Sequence, residues 1–182
     1  MSGGMDYQVG GESPLQKLVF TDNNSYRTSN LRADNTARLG YDWGPLNYNG
    51  KITDNYFVGQ LLIVRWASLD SARNVVIEAR APVESRVLVQ PNRYEPGRAN
   101  VIVYNWSHQG SVEVDLSSVL QHGQAYEVRD AEDFFGPPVA NGSYAGGMIE
   151  LPLDGSPVAR SITGQSTAAT GIEFAAFVVV PR

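Results

Sequence analysis

The residues best equipped for chemistry fall in one polar, aromatic-rich stretch: Tyr41, Asp42, Trp43, Asn47 and Tyr48, with Arg38 and Asn49 beside them, Tyr26 upstream and Tyr56 downstream. Aromatic faces stack on the apolar faces of sugar rings. Asn, Asp and Arg side chains take up hydroxyls. Together they make the lining of a small polar-ligand site with convergent hydrogen bonds. The competing expectation is that the same rings cover a core or a subunit contact. The other two tryptophans, Trp66 and Trp106, end apolar runs and are expected in the core.

Other constellations carry less. Asp130, Glu132 and Asp133 could offer oxygen ligands to Ca²⁺, but acids also gather in turns for backbone reasons. No metal site is otherwise expected, and no cofactor. His108 and His122 lie in predicted turns, without the short spacing of a metal pair. Ser107, His108 and Asp115 contain the residue types of a hydrolase triad. Adjacent residues of a strand point to opposite faces, so that set fails on geometry. No catalytic residue is assigned. Asp42, Asp54, Asp70 and Glu78 keep a paired-carboxylate mechanism open. Arg65, inside the run Leu61–Trp66, should need a carboxylate partner, with Asp70 and Glu78 as candidates.

These residues must be positioned by strands. The 182-residue chain has 42% apolar and 18% charged residues, 18 Gly, 10 Pro and no Cys. Such a composition suits strands joined by tight turns and excludes disulfides and thiolate chemistry. A net charge of −5 with scattered Arg argues against nucleic acid. No apolar run approaches the roughly 20 residues that span a bilayer as a helix. Met1–Met5 lacks both the basic and the apolar segment of a secretory signal. It fits a leader or the interior of a longer chain equally.

Strands are predicted at 17–21, 51–58, 61–66, 74–78, 86–90 and 100–106, from β-branched runs bounded by Pro, Asn or Gly. Further strands are expected at 111–115, 124–129, 148–151 and 172–180. Residues 116–121 suit a single helical turn capped by Asp115. Residues 22–50 read as a long functional loop. Thr21-Asp22-Asn23 recurs as Thr53-Asp54-Asn55, 32 positions later. Such an echo is expected of stacked coils. Asn suits a left-handed corner, and its amide can bond to its equivalent on the next coil.

The expected fold class is all-β: an antiparallel β-sandwich preceded by a short stack of strands. The expected organisation is a flexible leader at 1–14, a strand stack at 15–97 and a sandwich at 98–182.

Residues 98–182 carry Asn100-Val-Ile-Val-Tyr-Asn-Trp106, Val112-Glu-Val-Asp-Leu-Ser-Ser-Val-Leu120, Gly123-Gln-Ala-Tyr-Glu-Val-Arg-Asp-Ala131, Asp133-Phe-Phe-Gly-Pro-Pro-Val139 and Phe174-Ala-Ala-Phe-Val-Val-Val-Pro181. This pattern resembles the C-terminal β-sandwich of bacterial right-handed parallel β-helix proteins and of some glycoside hydrolases. Residues 17–92, with Ile52-Thr-Asp-Asn-Tyr-Phe-Val-Gly59, look like the terminal coils of such a helix. The resemblance implies a non-catalytic, carbohydrate-associated accessory module, extracellular or on the cell surface, with polysaccharide as its partner. Two rival functions stand beside it. One is a fragment of a glycoside hydrolase or polysaccharide lyase. The other is a structural protein that forms homo-oligomers through exposed strand or coil ends.

Overall fold

In the computed structural model, residues 7–26, 35–77, 84–154, 158–159, 162–164 and 172–182 are described. These residues form strands, turns and bends, with no helix among them. The fold is all-β, as the composition and periodicity predict. The chain divides into two compact units, Met1–Pro82 and Val83–Arg182.

The first unit is a winding of three coils, each contributing one strand to each of three parallel sheets. The first coil supplies β1 (Tyr7–Val9), β2 (Lys17–Thr21) and β3 (Asn24–Tyr26). The second supplies β4 (Asn35–Leu39), β5 (Asn47–Thr53) and β6 (Tyr56–Val58). The third supplies β7 (Gln60–Ile63), β8 (Trp66–Asp70) and β9 (Val75–Ile77). The sheets run β1-β4-β7, β2-β5-β8 and β3-β6-β9. In register, Phe20 lies against Ile52, Ser25 against Phe57 and Phe57 against Val76. Among the described residues of this unit the enclosed apolar side chains are Ala37, Leu39, Ile52, Phe57 and Val58, all on the middle coil. Phe20 stacks on Phe57 with ring centroids 6.3 Å apart, and meets Tyr7 edge-on at 5.0 Å.

The Thr-Asp-Asn echo is one corner of the winding. Asp22 and Asp54 take left-handed backbone, with φ of 59° and 62°. The next residue, Asn, turns inward. The Asn55 side-chain oxygen accepts from the Asn23 backbone N–H and from Asn23 Nδ2, both at 3.0 Å. The ladder then continues to a third rung. Asn74 Oδ1 accepts from the Asn55 backbone N–H at 3.1 Å and from Asn55 Nδ2 at 2.8 Å. Arg73 holds the left-handed position there, with φ of 57°. Its guanidinium grips Asp54 at 2.5 and 2.7 Å.

Several expectations are corrected by these corners. The run Lys51–Val58 alternates like one strand but breaks at Asp54, because the ladder turns the chain there. Leu61–Trp66 breaks between Ile63 and Trp66, where Arg65 adopts φ of 59° and is exposed to solvent. Arg65 is therefore a corner residue and not a buried strand charge seeking a partner. Tyr7–Val9 lies in the expected leader yet forms β1, since pairing with β4 supplies the order that its own sequence does not. Residues 22–50 hold β3, β4 and the start of β5. Residues 27–34 and Glu78 lie outside the described residues.

The second unit is the antiparallel sandwich. Its strands are β10 (Arg86–Pro91), β11 (Ala99–Tyr104), β12 (Ser111–Asp115), β13 (Ala125–Asp130), β14 (Ala140–Ser143), β15 (Met148–Pro152) and β16 (Phe174–Pro181). One sheet runs β10-β11-β16-β13-β14, and β12 pairs with β15. Arg86–Pro91 thus pairs within the sandwich. Alternation puts Ala99, Val101 and Val103, Tyr126 and Val128, and Phe177 and Val179 in the core. They pack with Val114, Leu151, Leu116 and Leu120. Leu116 and Leu120 come from the predicted turn: Leu120 N–H donates to Leu116 O at 2.8 Å, and Ser117 N–H donates to Asp115 Oδ1 at 2.8 Å.

One ion network ties this sheet to the loop after it. Glu127 accepts from Arg129 at 2.7 Å and from Arg182. Arg129 Nη1 also donates to the carbonyls of Phe134 and Gly136 at 3.0 and 2.8 Å. Hydrogen bonding from Arg182 holds the Glu127 carboxyl below the ordinary glutamate range. Burial pushes the other way, and Arg129 lowers it further. A depressed carboxyl contributes its stability above the unfolded value and loses it as pH falls through the folded one. Scanning calorimetry from neutral pH down through the carboxylate range should therefore show a falling Tm for the wild type. Glu127→Gln should flatten that dependence. An unchanged pH profile in the variant would show that other carboxylates dominate the acid response.

Candidate functional site

The winding carries its longest described loops on one side. Residues 10–16 connect β1 to β2, and residues 40–46 connect β4 to β5. Both leave their strands through glycines with positive φ, Gly10 at 133° and Gly40 at 105°. Gly40 N–H donates to Val9 O at 2.7 Å, and Val64 N–H donates to Leu39 O at 3.0 Å. The first two loops therefore lie directly over one another. A side chain on Gly44 would meet Gly11 O at 2.6 Å, so glycine is what lets them approach.

Between these loops is a shallow, solvent-open cleft of about 420 Å³, lined by Gln8, Gly10, Gly11, Glu12, Tyr41, Trp43 and Gly44. The second loop is set by a tight turn in which Gly44 N–H donates to Tyr41 O at 3.1 Å. The turn pushes Trp43 outward, leaving it 87% exposed. Tyr41 is half-buried, with the Arg38 guanidinium over its ring at 5.3 Å. Arg38 also pairs with Asp42. One cation thus fixes both residues that precede Trp43. Gln8 enters because it is the rung neighbour of Arg38 on the adjoining strand.

Of the five residues singled out from sequence, Tyr41 and Trp43 line the cleft, and Asp42 braces it through Arg38. Asn47 is buried, and its side-chain oxygen accepts from Leu15 N–H at 3.0 Å, which makes it a strut between coils. Tyr48 is half-exposed on β5, outside the cleft lining. Gln8, Gly10, Gly11 and Glu12 were not expected, because a Gly-rich start reads as a leader. The available signal was Val9-Gly10 echoed by Leu39-Gly40, an apolar residue followed by the glycine of a corner.

Glu12 is the one carboxylate among the lining residues. Asp54 is held by Arg73, whose hydrogen bond lowers its carboxyl below the ordinary range. Asp70 accepts from Ala72 N–H at 3.2 Å. Asp42, Asp54 and Asp70 therefore serve pairs and corners, and among the described residues the cleft lining gathers one carboxylate, where a glycosidase needs two that face each other.

The second unit's candidates also separate. Asp130 is buried and its Oδ1 accepts from Glu132 N–H at 2.7 Å, closing its own turn. Asp130, Glu132 and Asp133 do not converge, and no group of three or more acids or histidines among the described residues could hold a metal. Ser107 Oγ lies 2.8 Å from Ser85 Oγ, His108 faces Glu173 at 3.3 Å and Asp115 caps Ser117. That trio is dispersed. His122 is exposed in a turn. Trp66 and Trp106, expected in the core, are half-buried. The Trp66 indole N–H donates to Leu39 O at 3.0 Å, and Trp106 stacks on Tyr104 at 6.0 Å. No helix among the described residues is long and apolar enough to cross a membrane.

Comparison with protein-family models, with curated proteins and with solved structures found no match.

Proposed function

We propose that the cleft at Tyr41 and Trp43 binds a carbohydrate chain, and that the protein is a non-catalytic accessory module for a polysaccharide, working outside the cell or on its surface. The observation that supports this most is the exposure of Trp43 beside a half-buried Tyr41. A free tryptophan face is a large apolar area left in water, and it gains by stacking on the C–H face of a sugar. The backbone groups of Gly10, Gly11 and Gly44, the Gln8 amide and the Glu12 carboxylate supply hydroxyl partners around it. A shallow, open cleft suits one or two residues of a long chain, where an enclosed pocket would suit a whole small molecule. The reading agrees with the bacterial accessory modules that the sequence resembles.

The test is a glycan array followed by affinity gel electrophoresis. The wild type should be retarded by at least one polysaccharide. Trp43→Ala should weaken that retardation at least tenfold, and Trp43→Phe should keep part of it. A wild type that binds no polysaccharide removes the reading.

A further inference from the structure

Trp43 and Glu12 stand on either side of one backbone contact. The Gly11 carbonyl lies so close to Gly44 that a side-chain carbon added there would sit 2.6 Å from its oxygen. Glu12 follows Gly11, and Trp43 precedes Gly44. Consecutive Cα atoms are about 3.8 Å apart, so each side chain starts one residue from that contact. A second contact fixes the stacking of the loops: a side chain on Gly10 would meet Gly40 C at 3.0 Å and Tyr41 N at 3.3 Å. The indole and the carboxyl therefore line one cleft from stacked loops.

The charge in this cleft has one sign. Glu12 carries it. Glu12 is exposed, and among the described residues its side chain has no hydrogen bond or ion pair. No Lys, Arg or His is among the lining residues. The cation beside the cleft, Arg38, is taken up by Asp42 and by the Tyr41 ring, 5.3 Å from its guanidinium carbon. Lys17, at the far end of the Glu12 loop, opens β2 and lies outside the lining. An indole face attracts a cation through its quadrupole, and a carboxylate accepts charge-assisted hydrogen bonds from an ammonium. The same carboxylate repels an anion.

Taking the cleft as the carbohydrate site proposed above, we infer that its ligand is an amino-sugar chain with free amines, a polymer of positive charge. One sugar ring stacks on Trp43. The ammonium of that ring or of its neighbour donates to Glu12, and hydroxyls meet Gln8 and the loop backbone. An N-acetylated chain offers the same rings without the charge. A uronic acid chain brings its own carboxylates against Glu12 and is disfavoured. The net charge of −5 on the whole chain works in the same direction at longer range.

Calorimetry on the full chain with soluble oligomers of glucosamine, N-acetylglucosamine and galacturonic acid tests this. Glucosamine oligomers should bind at least tenfold more tightly than their N-acetylated counterparts, and galacturonate oligomers should bind more weakly than both. Glu12→Gln should cut the preference for glucosamine at least fivefold. Trp43→Ala should weaken binding of the glucosamine and N-acetylated oligomers at least tenfold. Both positions are exposed, circular dichroism checks the fold of each variant, and the wild-type ranking stands without them. If N-acetylated oligomers bind as tightly as glucosamine, or galacturonate binds tightest, the inference falls and the carbohydrate reading stands. The same holds if the preference survives Glu12→Gln. Polylysine bound as tightly as the glucosamine chain, with the same dependence on Trp43, would also overturn it, since the cleft would then select charge alone. A wild type that binds none of the three oligomers but is retarded by another polysaccharide removes this inference only. One that binds no polysaccharide removes both.

Discussion

Asn55→Ala should destabilise the coil winding by about 3–5 kcal/mol, more than any other single polar truncation in the first unit. The side chain is buried and makes hydrogen bonds in both directions. Its oxygen accepts twice from Asn23, and its Nδ2 donates to Phe20 O at 2.9 Å and to Asn74 Oδ1 at 2.8 Å. A hydrogen bond contributes about 1 kcal/mol net, but a buried group left without its partner costs about 1–3 kcal/mol. Alanine would strand the Asn23 N–H and the Phe20 carbonyl together. Asn23→Ala, at the end of the ladder, should cost about 1–2 kcal/mol on the same reasoning. Urea titrations that follow amide signals of β2, β5 and β6 would measure both. A middle rung no costlier than the end rung would mean that the strands alone hold the winding.

Gly40→Ala should be nearly as damaging, by about 2–5 kcal/mol, for a reason that involves no hydrogen bond of its side chain. Its φ of 105° lies where an L side chain is strained, which costs on the order of 1–3 kcal/mol. Its added carbon would also overlap the carbonyl oxygen of Val64 and approach the Val64 carbonyl carbon to 2.9 Å. Overpacking of that kind costs a further 1–3 kcal/mol or so. The backbone cannot step aside, because Gly40 N–H is bonded to Val9 O. Gly11→Ala is the control, since nothing lies within 4 Å of the added carbon. It should change stability by less than about 0.5 kcal/mol. Thermal unfolding separates the two. If Trp43 is the ligand platform, Gly40→Ala should also weaken polysaccharide binding, because Gly40 begins the loop that carries it.

The two halves of the chain differ in how much they disclose to a reader of sequence. In the sandwich most strands are five residues or longer, and in β11, β13 and β15 the alternation of side chains survives as burial. Ser111–Asp115 was legible to the residue, and so was the Asp115-capped turn after it. In the winding most strands are three to five residues, too short to show a period. Their order comes from neighbouring coils, which sequence separation hides. The Asn23–Asn55 spacing of 32 residues shrinks to 19 between Asn55 and Asn74. Arg73 also replaces the Asp of the motif, so the third rung was invisible as a repeat. The cleft was half legible for a related reason. Trp43 and Tyr41 announced themselves as aromatics among polar residues. Gln8 and Glu12 reach the same place from a coil away, and Asn47 was misplaced because a buried strut and a ligand contact use the same amide.

The shrinking interval between rungs has a consequence for change over time. What the corner requires is a left-handed residue followed by an inward Asn, and nothing in that requirement counts the residues between one corner and the next. Chain length is thereby uncoupled from architecture. The segment 41–46 can be lengthened, shortened or rewritten while the rungs above and below keep their places. The winding works as a rack, and the loop that displays Trp43 is a replaceable insert.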